Sequence, residues 1–327
     1  MTNKAISYNE YGKPADVLHC ISQPVAQPAA GQVQLKMLAA VINPSDFGQI
    51  LGSYGTLKAL PAVAGREGIA EVVKIGTGVT NIQVGQKVRI PAEAGAWQQY
   101  MLAEAETLQL VPEDIDAEQL AMSFINPPTA YRILADFVEL KPGDWIIQNA
   151  ANSAVGIAMI QLAAARGIKT INVVRRNELI APLKKLGADV VVVDDDAYPK
   201  QLKELTGGKK AKLALNSVGG ESAMRLIKCL EDGGTHITIG AMSFEAARFP
   251  TRFLIFNDVQ LRGFWLDRWL RESTTESVEQ LFQNIYELMR QGVLRTPISQ
   301  RFELDAFAEA LEASQAPRLG KVIFKGA

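Results

Sequence analysis

Residues 144–176 read DWIIQNAANSAVGIAMIQLAAARGIKTINVVRR. An apolar run at 145–147 enters a small-residue turn at 149–156, a helix follows to about Arg166, Gly167 stops it, and residues 168–174 form a second strand. This is one βαβ unit. Its helix carries Ala158, Ala163, Ala164 and Ala165, small enough to pack closely on a sheet. The turn before it offers backbone N–H groups and the positive end of a helix dipole to an anion such as a pyrophosphate. The usual G-x-G-x-x-G has lost its first two glycines here, since the turn reads Ala151-Asn152-Ser153-Ala154-Val155-Gly156.

The end of the second strand decides which dinucleotide fits. An acidic residue about 20 residues past the turn grips a free ribose 2′-hydroxyl, whereas an arginine accommodates a 2′-phosphate. This strand ends in Arg175-Arg176. A carboxylate would repel the phosphate and a guanidinium binds it through two hydrogen bonds, so the expected cofactor is NADP(H).

The frame around this unit is that of an ordinary globular enzyme. At 327 residues the chain suits two domains, and 48% hydrophobic with 21% charged residues is unexceptional. A net charge of -1 gives no general attraction to nucleic acid or an anionic membrane, so any phosphate recognition is local. Only Cys20 and Cys229 occur, which argues against a disulfide framework and suits a reducing compartment. Without a cationic, apolar N-terminal run or a bilayer-length apolar stretch, the expected location is the cytoplasm.

Strand patterns at 4–8, 32–41, 68–75 and 86–90, punctuated by turns such as Tyr11-Gly12-Lys13-Pro14, make the first part β-rich, with a partly open barrel as the expected shape. Helical spacing covers 117–138, interrupted by Asn126-Pro127-Pro128. After Arg176, strands at 189–193, 213–217 and 235–240 alternate with helices at 178–186, 198–206 and 221–230. That alternation predicts an α/β fold with a doubly wound parallel sheet. Its ligands bind beyond the carboxyl ends of the strands, which gathers residues 149–156, 216–220 and 240–243 around one cleft. A strand-like run at 259–266, helices at 277–290 and 305–313 and a strand at 321–325 complete the chain. Those last pieces lack a core of their own, so the expected domains are 1–120, 121–266, and a tail at 267–327 that rejoins the first.

Several ordered motifs resemble the medium-chain dehydrogenase/reductase superfamily: the Lys141-Pro142-Gly143-Asp144 turn, the A-x-x-S-x-V-G turn, the β-rich first domain and the returning tail. More narrowly, Ile42-Asn43-Pro44-Ser45-Asp46, Gly52-Ser53-Tyr54-Gly55, Gly65-Arg66-Glu67-Gly68, Asn126-Pro127-Pro128-Thr129-Ala130-Tyr131-Arg132 and Leu261-Arg262-Gly263-Phe264-Trp265-Leu266 are similar to the trans-2-enoyl-thioester reductases, including the mitochondrial trans-2-enoyl-CoA reductases of fatty-acid synthesis. The likeness runs over nearly the whole chain and implies a Rossmann domain beside a GroES-like barrel.

It also implies chemistry without zinc. Zinc-dependent relatives use a Cys and a His near these N-terminal motifs, where this chain has Asn43 and Arg66, and no four-cysteine cluster is present for structural zinc. His19 and His236 lie outside the motifs and read as structural or surface residues. Tyr54, in the family's Gly-x-Tyr-Gly motif, is then the expected catalytic group, either protonating the α-carbon or hydrogen-bonding the enolate that forms. A phenol stays protonated at neutral pH, as that task needs.

By the same resemblance, Asn126 binds the nicotinamide end, Asn152, Ser153, Ala154 and Val155 the pyrophosphate, and Arg175, Arg176 and Asn177 the 2′-phosphate. Gly240, Ala241, Met242 and Ser243 line the nicotinamide and acyl cleft with Phe264, Trp265 and Leu266, and Lys321 reaches the cofactor from the tail. The implied substrate is a trans-2-enoyl thioester of CoA or acyl carrier protein, and the implied assembly a homodimer joined along the edge strand at 259–266. Pro128 and the short Glu93-Ala94-Gly95-Ala96-Trp97 segment depart from the family pattern and bear on acyl-chain length. The fold also carries quinone oxidoreductases, and a non-catalytic NADPH-binding protein is the remaining alternative.

Overall fold

The computed structural model describes residues 2–326 and divides into two compact units: residues up to Phe124 with those from Thr296 onward, and Ile125–Arg295. In the second unit six strands form one sheet in the spatial order Val190–Val193, Lys169–Val174, Trp145–Gln148, Ala211–Asn216, Leu230–Thr238 and Gln260–Gly263. Every neighbouring pair is parallel. The chain leaves the Trp145–Gln148 strand toward one edge and later restarts at its other side, which makes this strand's boundary with Ala211–Asn216 the switch point of a doubly wound sheet.

Burial on both faces follows from period-2 alternation. Ile146, Leu213 and Leu215 enter one core with Met159 and Leu162, while Ile147 and Ala214 enter the opposite core with Ile171, Val190 and Leu226. Along the edge strand the pattern fails, since all four residues of Gln260–Gly263 are exposed.

The first unit holds a three-stranded sheet, with Thr2–Tyr8 between His19–Pro24 and Ala62–Val63, and a six-stranded sheet centred on Gln32–Val41. Strands Gly68–Ile75, Tyr100–Glu104 and Lys321–Lys325 all pair antiparallel with that central strand. Trp97 is fully buried, donates its indole N–H to the Val41 carbonyl at 3.1 Å and meets Phe324 edge-on at 5.3 Å. The last strand is thereby locked into the first unit.

Two expectations need correction. Only Thr296 onward returns to the first unit, because Leu281, Ile285 and Leu294 bury against Ile133, Ile146 and Met159 in the second. The amphipathic Thr275–Arg290 helix thus finds its partner surface on the dinucleotide-type unit. The helical span at 117–138 is interrupted, but just before Asn126 and not within it: helices Ala117–Ala121 and Asn126–Asp136 flank the break, and Pro127 and Pro128 lie in the first turn of the second, where the missing N–H groups have no intrahelical acceptor. His19–Pro24, exposed along its whole length, has no apolar alternation to read and is strand only through its pairing with Thr2–Tyr8. Among the described residues no helix is long and apolar enough to cross a membrane.

Candidate active site

In the second unit the site is built on the turn after Trp145–Gln148. Gln148 donates to the Gly156 carbonyl at 2.9 Å and to Asn172 Oδ1 at 2.8 Å, tying helix start to neighbouring strand. Asn149 donates to Asn216 Oδ1 at 2.9 Å and Ser222 Oγ at 3.0 Å, and accepts from the Ser217 N–H at 2.7 Å. Because these amides are buried, their bonds are worth more than they would be in water, and they hold the turn rigid. Ala150 is thereby kept at φ 47, an uncommon conformation for a residue with a Cβ.

Ser153 caps the Ala154–Ala165 helix by accepting from the Gly156 N–H at 3.1 Å. The N–H groups of Ala154 and Val155, also in the first turn, have no intrahelical acceptor and sit at the positive end of the dipole. A Cβ on Gly156 would stand 2.6 Å from the Ala151 carbonyl oxygen, so only glycine lets the helix begin this close to the strand. The last glycine of a dinucleotide fingerprint does the same work, and the turn fits a pyrophosphate.

The other expected residues of this unit, Asn126 apart, follow the carboxyl ends of neighbouring strands. Arg175, Arg176 and Asn177 come directly after Lys169–Val174; Arg175 and Asn177 are exposed, and Arg176 pairs with Glu178 at 2.9 Å. Gly240, Ala241, Met242 and Ser243 follow Leu230–Thr238, and their loop is tied to its neighbour because Met242 N–H donates to the Ser217 carbonyl at 3.1 Å and Ser243 Oγ to the Val218 carbonyl at 2.8 Å. After Gln260–Gly263 comes Phe264, edge-on to Phe137 at 5.9 Å, then Trp265, whose ring lies 4.8 Å under the Arg271 guanidinium. Leu266 is buried as the first residue of the Leu266–Glu272 helix, which leaves the two aromatics as the half-exposed part of that motif. Asn126 is buried as the first residue of the Asn126–Asp136 helix.

In the first unit the motifs converge on a buried ionic cluster. Asp46 reaches back to the Asn43 N–H at 2.7 Å across the start of the Pro44–Ile50 helix. Asn43 donates to Glu67 Oε2 at 2.7 Å, and Glu67 Oε1 accepts from the Phe124 N–H at 2.9 Å. Lys321, 4% exposed, donates to the Ile42 carbonyl at 3.1 Å and to Asn43 Oδ1. Its ammonium is thus held inside this cluster. Lys58 donates to the Val63 and Gly65 carbonyls at 3.1 and 3.2 Å, and the Arg66 guanidinium lies 4.8 Å over the Tyr54 ring.

These residues do not fit a zinc ion. The Asn43 amide oxygen is taken by an ammonium group, and Arg66, a cation, stands where a neutral imidazole is needed. His236, buried edge-on against Phe249 at 4.8 Å, lies in the Leu230–Thr238 strand of the other unit.

Burial pushes the Asp46 carboxyl up to about 6 and the Lys58 and Lys321 ammoniums down to about 8. Nearby Arg66, Lys321 and Lys58 oppose the shift of Asp46 without overcoming it. An acid whose folded pKa is raised binds its proton more tightly in the native state, so stability falls as pH rises from about 4 to about 6. Lysines with depressed values act in the other window, adding stability from about 8 toward 10.5. Asp46→Asn is expected to remove the acid-side decline, about 2 kcal/mol between pH 4 and pH 6 by linkage, and chemical denaturation at those two pH values measures it.

Comparison with known proteins agrees with this architecture. A family model described as zinc-binding dehydrogenase matches residues 154–284, and one described as the alcohol dehydrogenase GroES-like domain matches residues 29–113. The mitochondrial enoyl-[acyl-carrier-protein] reductase of Homo sapiens is 41% identical over 321 residues, covering 96% of this chain and 86% of its own. The chain belongs to the enoyl-reductase family of the medium-chain dehydrogenase/reductase superfamily. Among solved structures of that superfamily, the Etr1p/NADP/crotonyl-CoA complex superposes with a TM-score of 0.89 at 28% identity, covering 99% of this chain and 100% of the other. A Bacillus thuringiensis protein described as an NADPH:quinone reductase gives 0.89 at 28%, with 100% of both chains covered.

The sequence places Asn149 and Asn216 at the cleft but not the bonds between the strand-end amides. Gln148, Asn149, Asn172 and Asn216 interrupt or end otherwise apolar strands, and a buried amide must find partners. Asp46 and Glu67 lie in motifs that carry the resemblance, yet nothing in their spacing shows that they are buried, and Lys58 carries no sequence signal.

Proposed function

We propose that this chain reduces the 2,3 double bond of trans-2-enoyl thioesters with NADPH, giving the saturated thioester and NADP⁺. The observation that carries this reading is the 41% identity over 96% of the chain to an enoyl-[acyl-carrier-protein] reductase. NADPH, when bound, supplies a hydride to the β-carbon. The pyrophosphate is held by the first-turn N–H groups of Ala154 and Val155 in the Asn152-Ser153 turn, and Arg175, Arg176 and Asn177 take the 2′-phosphate. Asn126, the loop from Gly240 to Ser243, and Phe264 with Trp265 border the nicotinamide and acyl chain. As negative charge builds on the thioester oxygen, Tyr54 either gives its hydroxyl proton to the α-carbon and is reprotonated by solvent, or hydrogen-bonds the oxygen while a solvent proton goes to the α-carbon.

NADPH oxidation with crotonyl-CoA and with a quinone, measured side by side, tests the assignment. Turnover of crotonyl-CoA is the expected result; quinone turnover alone would favour the quinone oxidoreductase reading, which the Bacillus thuringiensis structure supports, and binding without turnover of either would leave a sensor. The thioester in this proposal is one of CoA or of acyl carrier protein. Cytoplasmic location, inferred from two free thiols, is likewise proposed, beside a human relative that is mitochondrial.

A homodimer is part of the same reading. The edge strand Gln260–Gly263 has all four residues exposed and an open row of backbone groups, near in sequence to Ile255 and Phe256, exposed at 69% and 78%. Pairing with a second copy satisfies both. Sedimentation at micromolar concentration is expected to give twice the 35.6-kDa protomer mass; a monomer overturns the pairing.

A further inference from the structure

Tyr54 lies in the loop after the Pro44–Ile50 helix and is half-exposed, so the fold must restrain its ring by a few specific contacts. One is the bare helix backbone at Gly48: Tyr54 N–H donates to the Gly48 carbonyl at 3.1 Å, and a Cβ on Gly48 would stand 3.2 Å from Tyr54 Cδ2 and 3.4 Å from its Cβ. Another is Arg66, whose guanidinium carbon sits 4.8 Å from the ring centroid. Arg66 is itself well anchored. Its neighbour Glu67 is buried and bonded to Asn43 and to the Phe124 N–H, and the Gly65 carbonyl before it accepts from Lys58. The buried Asp46 carboxylate adds attraction for its charge.

We propose that Arg66 is a positioning residue for Tyr54, laid on the phenol so that the hydroxyl keeps one orientation toward the enoyl thioester. This rests on the reading of Tyr54 as the group that meets the developing enolate. Stacking of a guanidinium on an aromatic face is directional as well as attractive, and a misplaced donor loses transition-state stabilisation faster than it loses binding. Where a zinc-using relative needs an imidazole ligand, this chain has a cation whose work is to orient a phenol.

The test is a double-mutant cycle with crotonyl-CoA and NADPH. Arg66→Met is expected to lower kcat about tenfold, leaving the KM for NADPH and the affinity for NADP⁺ within error. Arg66→Lys, which keeps a cation, should restore part of the loss. In a Tyr54→Phe background, Arg66→Met should cost nothing further, since no hydroxyl is left to orient. The same loss with and without the hydroxyl overturns the Arg66 assignment alone, as does no loss at all. Undiminished turnover in Tyr54→Phe itself overturns the Tyr54 reading and this proposal together. Should Arg66→Met not accumulate as folded protein, Arg66→Gln carries the same comparison.

Discussion

Tyr54→Phe is expected to lower kcat for crotonyl-CoA reduction by about 10²–10³-fold, the range spanned by loss of a general acid or of one oxyanion donor. The loss should fall on kcat and kcat/KM alike, because an interaction made only as charge develops contributes little to ground-state binding. NADP⁺ affinity should be unchanged, since the cofactor residues named here, Lys321 apart, belong to the other unit. Quinone turnover, if present, should survive within about twofold, because a quinone needs no proton at an α-carbon. A variant that reduces crotonyl-CoA at the wild-type rate removes Tyr54 from the mechanism.

The second large effect concerns cofactor choice. Replacing Arg175 and Arg176 together by alanine is expected to weaken NADP⁺ binding by about 10²–10³-fold, taking about 1.5–3 kcal/mol for each charge-assisted bond with partial compensation between them. Affinity for NAD⁺, which lacks the 2′-phosphate, should hold or rise slightly. The fold should tolerate the change: Arg175 is exposed and the Arg176–Glu178 pair is a surface ion pair, worth little to stability. Because the charges are exposed, the wild-type preference should narrow with added salt while the variant's barely moves. Calorimetric titration of both dinucleotides decides it, and equal affinities in the wild type would end the 2′-phosphate assignment.

How much could be read in advance varies with the physics of each segment. The βαβ unit was legible because strand, turn and helix are neighbours in sequence and the isoleucine-bearing and alanine-rich runs have unambiguous neighbours to pack on. Lys321–Lys325 matched its expected bounds, since an apolar run flanked by lysines has few alternatives. The Thr275–Arg290 helix was equally plain as a helix, yet its destination was misread, because amphipathicity says that a face is buried and not against what. The resemblance gives Lys321 a place at the cofactor, and no local pattern shows that its ammonium bonds to Ile42 and Asn43, almost 280 residues earlier in the chain.

By itself, then, the sequence determined the βαβ unit, the alternation that predicts a parallel sheet, the dinucleotide turn and the identity of the residues that end its strands, because these depend on propensity and on apolar periodicity along the chain. Only the tertiary structure decided that Asn43, Asp46, Glu67 and Lys321 share one buried cluster, that Arg66 lies on Tyr54, and that the chain turns back at Thr296. Those outcomes depend on which distant groups meet out of water, where a buried charge must be paired or shift its proton affinity, and no local pattern records that balance.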